Sequence, residues 1–269
     1  MGPFLPRLLV LVTCCVLFLA NTATADPVSV RHIEGVTFGF LVLRNLDAHP
    51  LAYGDLKQVV KNGVVVDDLK FNFKDGSLYE EITYEEITKF TQRGEFRLVS
   101  DQVVQKGPSF KQDMESWIDA ATGKVTVQIS EKGKEKRTTK RLNLPPDISN
   151  GLLLTLVKNV NPSAETRVSM VAASSKPRLV KLNIVPAQEK TIKVGTVTHR
   201  AQHYIIKTKI GGAAGVIAPV IGKQPPDIHI WVLKSEAPTF VEFEGPLSED
   251  GPTWRIEMTA PDPDATGGK

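Results

Sequence analysis

Hydrophobic and polar residues alternate with period two along most of this chain, the mark of strands with one dry face and one wet face. Leu69, Phe71 and Phe73 alternate with Lys70, Asn72 and Lys74, and Val125, Val127 and Ile129 with Thr126 and Gln128. Val180, Leu182 and Ile184 alternate with Lys181 and Asn183, and Trp254, Ile256 and Met258 with Arg255 and Glu257. One-sided strands of this kind belong to antiparallel sheets, because parallel sheets bury both faces. Asn62-Gly63 and Asp75-Gly76 are two-residue hairpin signals; Arg93-Gly94, Thr122-Gly123 and Lys132-Gly133 are weaker ones. Their spacing predicts a meander of long hairpins from Ala52 to Arg141, and a second strand-rich stretch runs from Glu165 to Thr259.

Between the two stretches the period changes. Asp147 precedes Ile148–Val160, where Leu152, Leu153, Leu156 and Val157 share one helical face, and Asn161-Pro162 stops the run. This predicts a helix capped by Asp147 and weakened by Gly151, since glycine costs up to about 1 kcal/mol relative to alanine. Leu78–Phe90 carries both a capping box (Ser77, Glu80) and the β-prone Ile82, Thr83, Tyr84 and Thr88, and is read as strand. The whole predicts an all-β fold: a large curved antiparallel sheet, a half-barrel or open barrel, with one helix packed on its concave side. It spans a single domain over residues 26–260, followed by a disordered Pro/Asp/Gly tail over 261–269.

Residues 1–25 stand apart. Arg7 precedes the 13-residue apolar run Leu8–Ala20, and small Ala23 and Ala25 lie just before Asp26-Pro27. These are the three regions of a secretory signal peptide. The expectation is cleavage after Ala25 and a secreted or periplasmic protein, because a membrane anchor needs about 20 apolar residues. The chain's two cysteines, Cys14 and Cys15, both lie in this run. The exported part therefore has no disulfide and no thiolate zinc site, and about 244 residues must suffice for its core. Arg7 is the run's one charge, so the 33 basic and 30 acidic residues become 32 against 30 after cleavage. That balance argues against a nucleic-acid partner.

Candidate chemistry is sparse. His199 and His203 are four apart, but their flanks read as strand, where that spacing separates them by roughly 13 Å. No metal and no cofactor is expected from them. Glu80, Glu81, Glu85 and Glu86 read as a solvated strand face, with no EF-hand pattern beside them. No G-x-S-x-G elbow, P-loop or H-E-x-x-H sequence is present, so no catalytic residue is named. Lys132–Arg141 holds six basic residues in ten. Lys134, Lys136, Arg137 and Lys140 are candidates for an anion contact, against the ordinary reading of lysines that protect a sheet edge. Gly211–Gly222 (GGAAGVIAPVIG) has no charge. Gly211, Val216, Ile217, Val220 and Ile221, together with Trp231, are candidates for contact with an apolar ligand. The segment is otherwise a buried crossing or a peripheral contact with a membrane.

LPPDISNGLLLTLVKN (Leu144–Asn159), RLVSDQVVQKGPSF (Arg97–Phe110) and GKQPPDIHIWVLKSEAPTFVEFEGPL (Gly222–Leu247) resemble segments of uncharacterised exported bacterial proteins, similar to a β-rich periplasmic family of unknown function. The resemblance implies export and a curved antiparallel sheet, and it brings no activity and no catalytic residue. The leading expectation is a non-enzymatic envelope protein that binds an apolar or lipid-like ligand in the curved sheet. Its rivals are a structural or interaction module with a filled core and a hydrolase whose carboxylate pair is assembled by the fold. A sizeable apolar cavity would favour the first, and close carboxylates with raised pKa in a cleft the last.

Overall fold

The structure, a computed structural model, describes residues 27–73, 83–194, 197–209, 225–248 and 251–259. The first half of the chain forms β1 (Thr37–Arg44), β2 (Pro50–Lys61), β3 (Val64–Phe73), β4 (Thr83–Arg93), β5 (Glu95–Lys106), β6 (Asp113–Asp119), β7 (Lys124–Glu131) and β8 (Lys134–Arg141). A short helix α1 (Leu153–Leu156) follows. The second half forms β9 (Thr166–Ala172), β10 (Arg178–Pro186), β11 (Lys190–Val194), β12 (Val197–Lys209), β13 (Ile228–Leu233), β14 (Phe240–Pro246) and β15 (Thr253–Thr259). Among the described residues these fifteen strands make one open, curved sheet, with every strand pair antiparallel. Its order is β8-β7-β6-β5-β4-β3-β2-β1-β15-β14-β13-β12-β10-β9, and β11 pairs with the first part of β12.

The hairpin signals form the turns expected of them where they are described. Asn62 and Gly63 have φ of 54° and 76°, and Lys132 and Gly133 have 50° and 74°. Positive φ at both central residues gives the twist that two-residue hairpins need. Asp75-Gly76 lies outside the described residues, as do the proposed leader, the tail and Gly211–Gly222. The alternating faces also hold: Phe71, Val125, Leu182 and Ile256 are all buried in one continuous core. Met258, at the end of the last strand, is instead 39% exposed.

The two edge strands, β8 and β9, are consecutive in the sequence, so residues 142–165 must cross between them. This crossing carries Ile148, Leu152, Leu156, Val157 and Val160 into the core. It also covers the edge of β9. Ser149 N–H donates to Ser169 O at 2.8 Å, and Ser169 N–H to Asp147 O at 3.2 Å. The Asn150 side chain then acts as one more residue of strand: its Oδ1 accepts Val171 N–H at 2.8 Å and its Nδ2 donates to Val171 O at 3.0 Å. Unpaired edges invite other strands, and here the edge is taken. From the opposite edge, Thr138 Oγ1 and Lys140 Nζ donate to Ser175 O and Pro177 O in the β9–β10 turn, both at 3.3 Å.

The helix is shorter than its sequence pattern. Only Leu153–Leu156 is α-helical, against the expected run from Ile148 to Val160. Gly151, at φ +67°, breaks the run before it begins. Asp147 does not cap it; its carboxylate accepts the Ser169 hydroxyl at 2.8 and 2.9 Å. The apolar face survives because Val157 and Val160 continue it in tight turns, with Val160 N–H bonded to Leu156 O.

Candidate functional site

The chemistry of the concave face follows from register. On β3 the inward parity of Phe71 and Leu69 continues to Asp67 and Val65. Asp67 is level with Gln58 on β2 and Thr88 on β4, and Thr88 is level with Asp101 on β5. One row of the inner face therefore reads Gln58, Asp67, Thr88, Asp101. The next row reads Leu56, Leu69, Glu86, Val103, Ser116. Same-face neighbours on adjacent strands lie close enough to interact directly or diagonally.

Asp101 reaches this row through a bulge. The pairing of β4 with β5 shifts between Lys89 and Phe90, so Leu98 faces Phe90 while Ser100 faces Lys89. Val99 is the extra residue, 41% exposed. Upstream of it Phe96 and Leu98 point inward; downstream Asp101, Val103 and Gln105 do. A bulge switches side-chain parity in this way.

Gln58 Nε2 donates to Asp67 Oδ1 at 2.7 Å, Thr88 Oγ1 to Asp101 Oδ1 at 3.0 Å, and Tyr84 Oη to Glu86 Oε2 at 3.2 Å. Burial dominates all three acids, since it disfavours the charged form. It pushes Asp67 up to about 6 against the pull of the Gln58 bond. It raises Glu86 to about 7, with the Tyr84 bond opposing and the Asp67 charge adding to the rise. Asp101 is held well above the usual carboxylate range by burial and then by Glu86. Glu86 is mostly buried where it lines the cavity, and Asp101 is only 2% exposed. A side chain at Gly151 would overlap the Thr88 hydroxyl and come within 2.8 Å of Asp101 Oδ1, so the 149–151 turn sits directly on this pair.

These groups line a partly open cavity of about 250 Å³ between the sheet and the crossing segment. One wall, from β2 to β6, presents Gln58, Asp67, Glu86, Thr88, Asp101 and Ser116 among Leu56, Leu69, Val103 and Met114. The facing wall is apolar and includes Met170, Val180, Ile228, Phe240, Phe243 and Ile256. Leu153 and Leu154 of α1 enter from the crossing segment. Lys158 also reaches the cavity, with its Nζ 2.7 Å from Glu34 Oε2. Arg178 lies exposed at the rim.

The residues singled out from the sequence lie elsewhere. Gly211, Val216, Ile217, Val220 and Ile221 are outside the described residues. Trp231 faces away from the cavity, in a second small cluster with Ala201 and Val241. It stacks on His203 with centroids 4.4 Å apart, beneath Lys190 Nζ at 3.8 Å. His203 Nε2 lies 2.9 Å from His229 Nδ1, and burial followed by the His229 and Lys190 charges lowers it to about 4. His199 is further along β12, level with Ile192 of β11. Among the described residues no three metal-ligating side chains converge.

Lys134, Lys136, Arg137 and Lys140 are exposed on edge strand β8. Register puts Lys136 and Lys140 level with Ile129 and Val125, and Arg137 on the opposite face level with Gln128. Lys134, Lys136 and Lys140 share one face of the strand and Arg137 lies on the other. Glu86 corrects the reading of its segment as a solvated face: Glu85 points outward, level with Val104, while Glu86 points in, level with Val103. Asp67 was visible in the parity of Phe71 and Leu69 carried two residues upstream; Asp101 was hidden by the bulge. Comparison of the chain with protein-family models, with curated proteins and with solved structures finds no match.

Proposed function

We propose that this is an exported, non-enzymatic binding protein that holds an apolar or lipid-like molecule in the hollow of its curved sheet. The observation that carries the reading is the cavity of about 250 Å³, walled on one side by Met170, Val180, Phe240, Phe243 and Ile256. Well-packed cores leave few voids larger than a water molecule. This one is close to the ~300 Å³ at which small-molecule sites begin. Burying an alkyl chain there contributes about 0.8 kcal/mol per methylene. The apolar leader Leu8–Ala20 supports an envelope setting. N-terminal sequencing of the exported protein should then begin at Asp26.

The binding test is displacement of phenylnaphthylamine, a dye that brightens in apolar surroundings, by dodecanol. Ala173 lines the cavity from the β9–β10 turn. Ala173→Trp should fill the space and weaken dye and alcohol binding about tenfold or more, a loss of about 1.4 kcal/mol. Equal binding by both proteins, or none by the wild type, would overturn the reading.

The acids favour one other reading, a hydrolase in which Glu86, raised to about 7, is the general acid. Such chemistry needs a second carboxylate across an open gap. Here Asp67 is engaged by Gln58, and Asp101 lies beneath the 149–151 turn. Turnover of chromogenic glycosides that disappears in Glu86→Gln would establish the hydrolase instead.

A further inference from the structure

The polar wall is one-sided in chemistry as well as position. Near it stand four carboxyl groups, Asp67, Glu86, Asp101 and Glu34, and one ammonium, Lys158. Lys158 is bound to Glu34 at 2.7 Å and its charge also reaches Asp67, but among the described residues no cation is bonded to Asp67, Glu86 or Asp101. Among the described residues each is met by a neutral donor, from Gln58, Tyr84 and Thr88 for Asp67, Glu86 and Asp101 respectively.

An independent feature points the same way. Gln58 is 4% exposed and lines the cavity, yet its Oε1 has no hydrogen-bond partner. The Nε2 bond to Asp67 fixes the amide orientation and keeps Oε1 turned away from the carboxylate. A buried acceptor left unmatched is destabilising, so such an atom marks a place where a donor is missing. A bare metal ion does not suit the site, since no three ligating side chains among the described residues converge on one point. A broader cation with several N–H donors does, approaching the carboxylates from within the space they border, beside the unmatched Gln58 amide.

We infer that the occupant of the cavity is an amphiphile whose polar end is an ammonium group, received by Gln58, Asp67 and Glu86 with Asp101 behind them, while its alkyl chain lies against Phe240, Phe243 and Ile256. This rests on the cavity being a site for an apolar chain. An ammonium supplies donors to the unmatched acceptor and charge to the unpaired acids, and charge-assisted bonds of this kind are about twice as strong as neutral ones.

Three probes share one chain and differ in their heads: dodecylamine, dodecanol and dodecanoate. Titrated calorimetrically against the full exported protein at pH 8, dodecylamine should bind about tenfold or more tightly than either of the others. The amine stays charged to about pH 10. Its affinity should rise from pH 5 to pH 8 as Asp67 and Glu86 lose their protons, and binding below pH 7 should release protons to the buffer. Asp67→Asn and Glu86→Gln should each erase most of the preference for dodecylamine over dodecanol. If a variant does not fold, proton release by the wild type decides alone. Equal or tighter binding of dodecanoate or dodecanol, or amine binding without proton release at pH 6, overturns the ammonium assignment and leaves the apolar site standing. Failure of all three probes overturns the site itself, and the assignment with it.

Discussion

At the scale of single residues, the inner face tolerates polar atoms only where each has a reason. Gly151 shows how tight the fit is: its φ of +67° and its seat on Thr88 and Asp101 both exclude a side chain. Gly151→Ala should cost about 2 kcal/mol or more, seen as a fall in Tm of about 4 °C or more. Gly35→Ala, with nothing within 4 Å of the added methyl, should leave Tm unchanged. The acids make a second prediction. Asp67 and Glu86 have folded pKa values of about 6 and about 7, above their ordinary 3.8 and 4.5. Between those limits the folded chain holds more protons than the unfolded chain. Their contribution is therefore fully present below about pH 4 and lost as pH rises through 6 to 7. His203, lowered to about 4 from 6.5, acts in the opposite sense: its contribution is present above pH 6.5 and lost as pH falls through about 4. Asp67→Asn removes only the first effect. It should raise Tm relative to wild type at pH 8 and leave it unchanged at pH 4, as melts across that range will show.

At the scale of elements, the strands were legible because one-sided burial writes period two into the sequence, and the hairpins because positive φ favours Gly and Asn. Val125, Val127 and Ile129 of β7 are buried as their alternation requires. What escaped was everything set by pairing between strands. The bulge at Val99 switches parity within β5, and no local pattern announces it, so the inward turn of Asp101 is not legible in its own strand. Glu86 was read with its neighbours as a solvated face, and its meeting with Asp67 depends on the β3–β4 register. The crossing segment misled for a related reason. Its apolar spacing is helical, yet Ser149 and Asn150 spend their backbone and side-chain bonds on β9. Asn150→Ala should leave Val171 N–H and C=O unmatched at a cost of about 1–3 kcal/mol. Hydrogen exchange at the Val171 amide should speed up accordingly, and unchanged protection would show that Asn150 does not hold the edge.

At the scale of the whole molecule, the sheet is stitched from both ends of the chain. β1 and β15 pair at its middle, the two edges come from consecutive strands, and the link between those strands spans the open side. The hollow that results has an acid wall and an apolar wall, which is the basis for assigning it an amphiphile. The most direct measurement is native mass spectrometry of the protein recovered from the cells that make it, beside its Ala173→Trp variant. The account predicts a stoichiometric small-molecule adduct on the wild type, absent from the variant, with fragmentation giving an alkyl chain and an amine. A wild type that carries no adduct, and takes up none when dodecylamine is added, would contradict it.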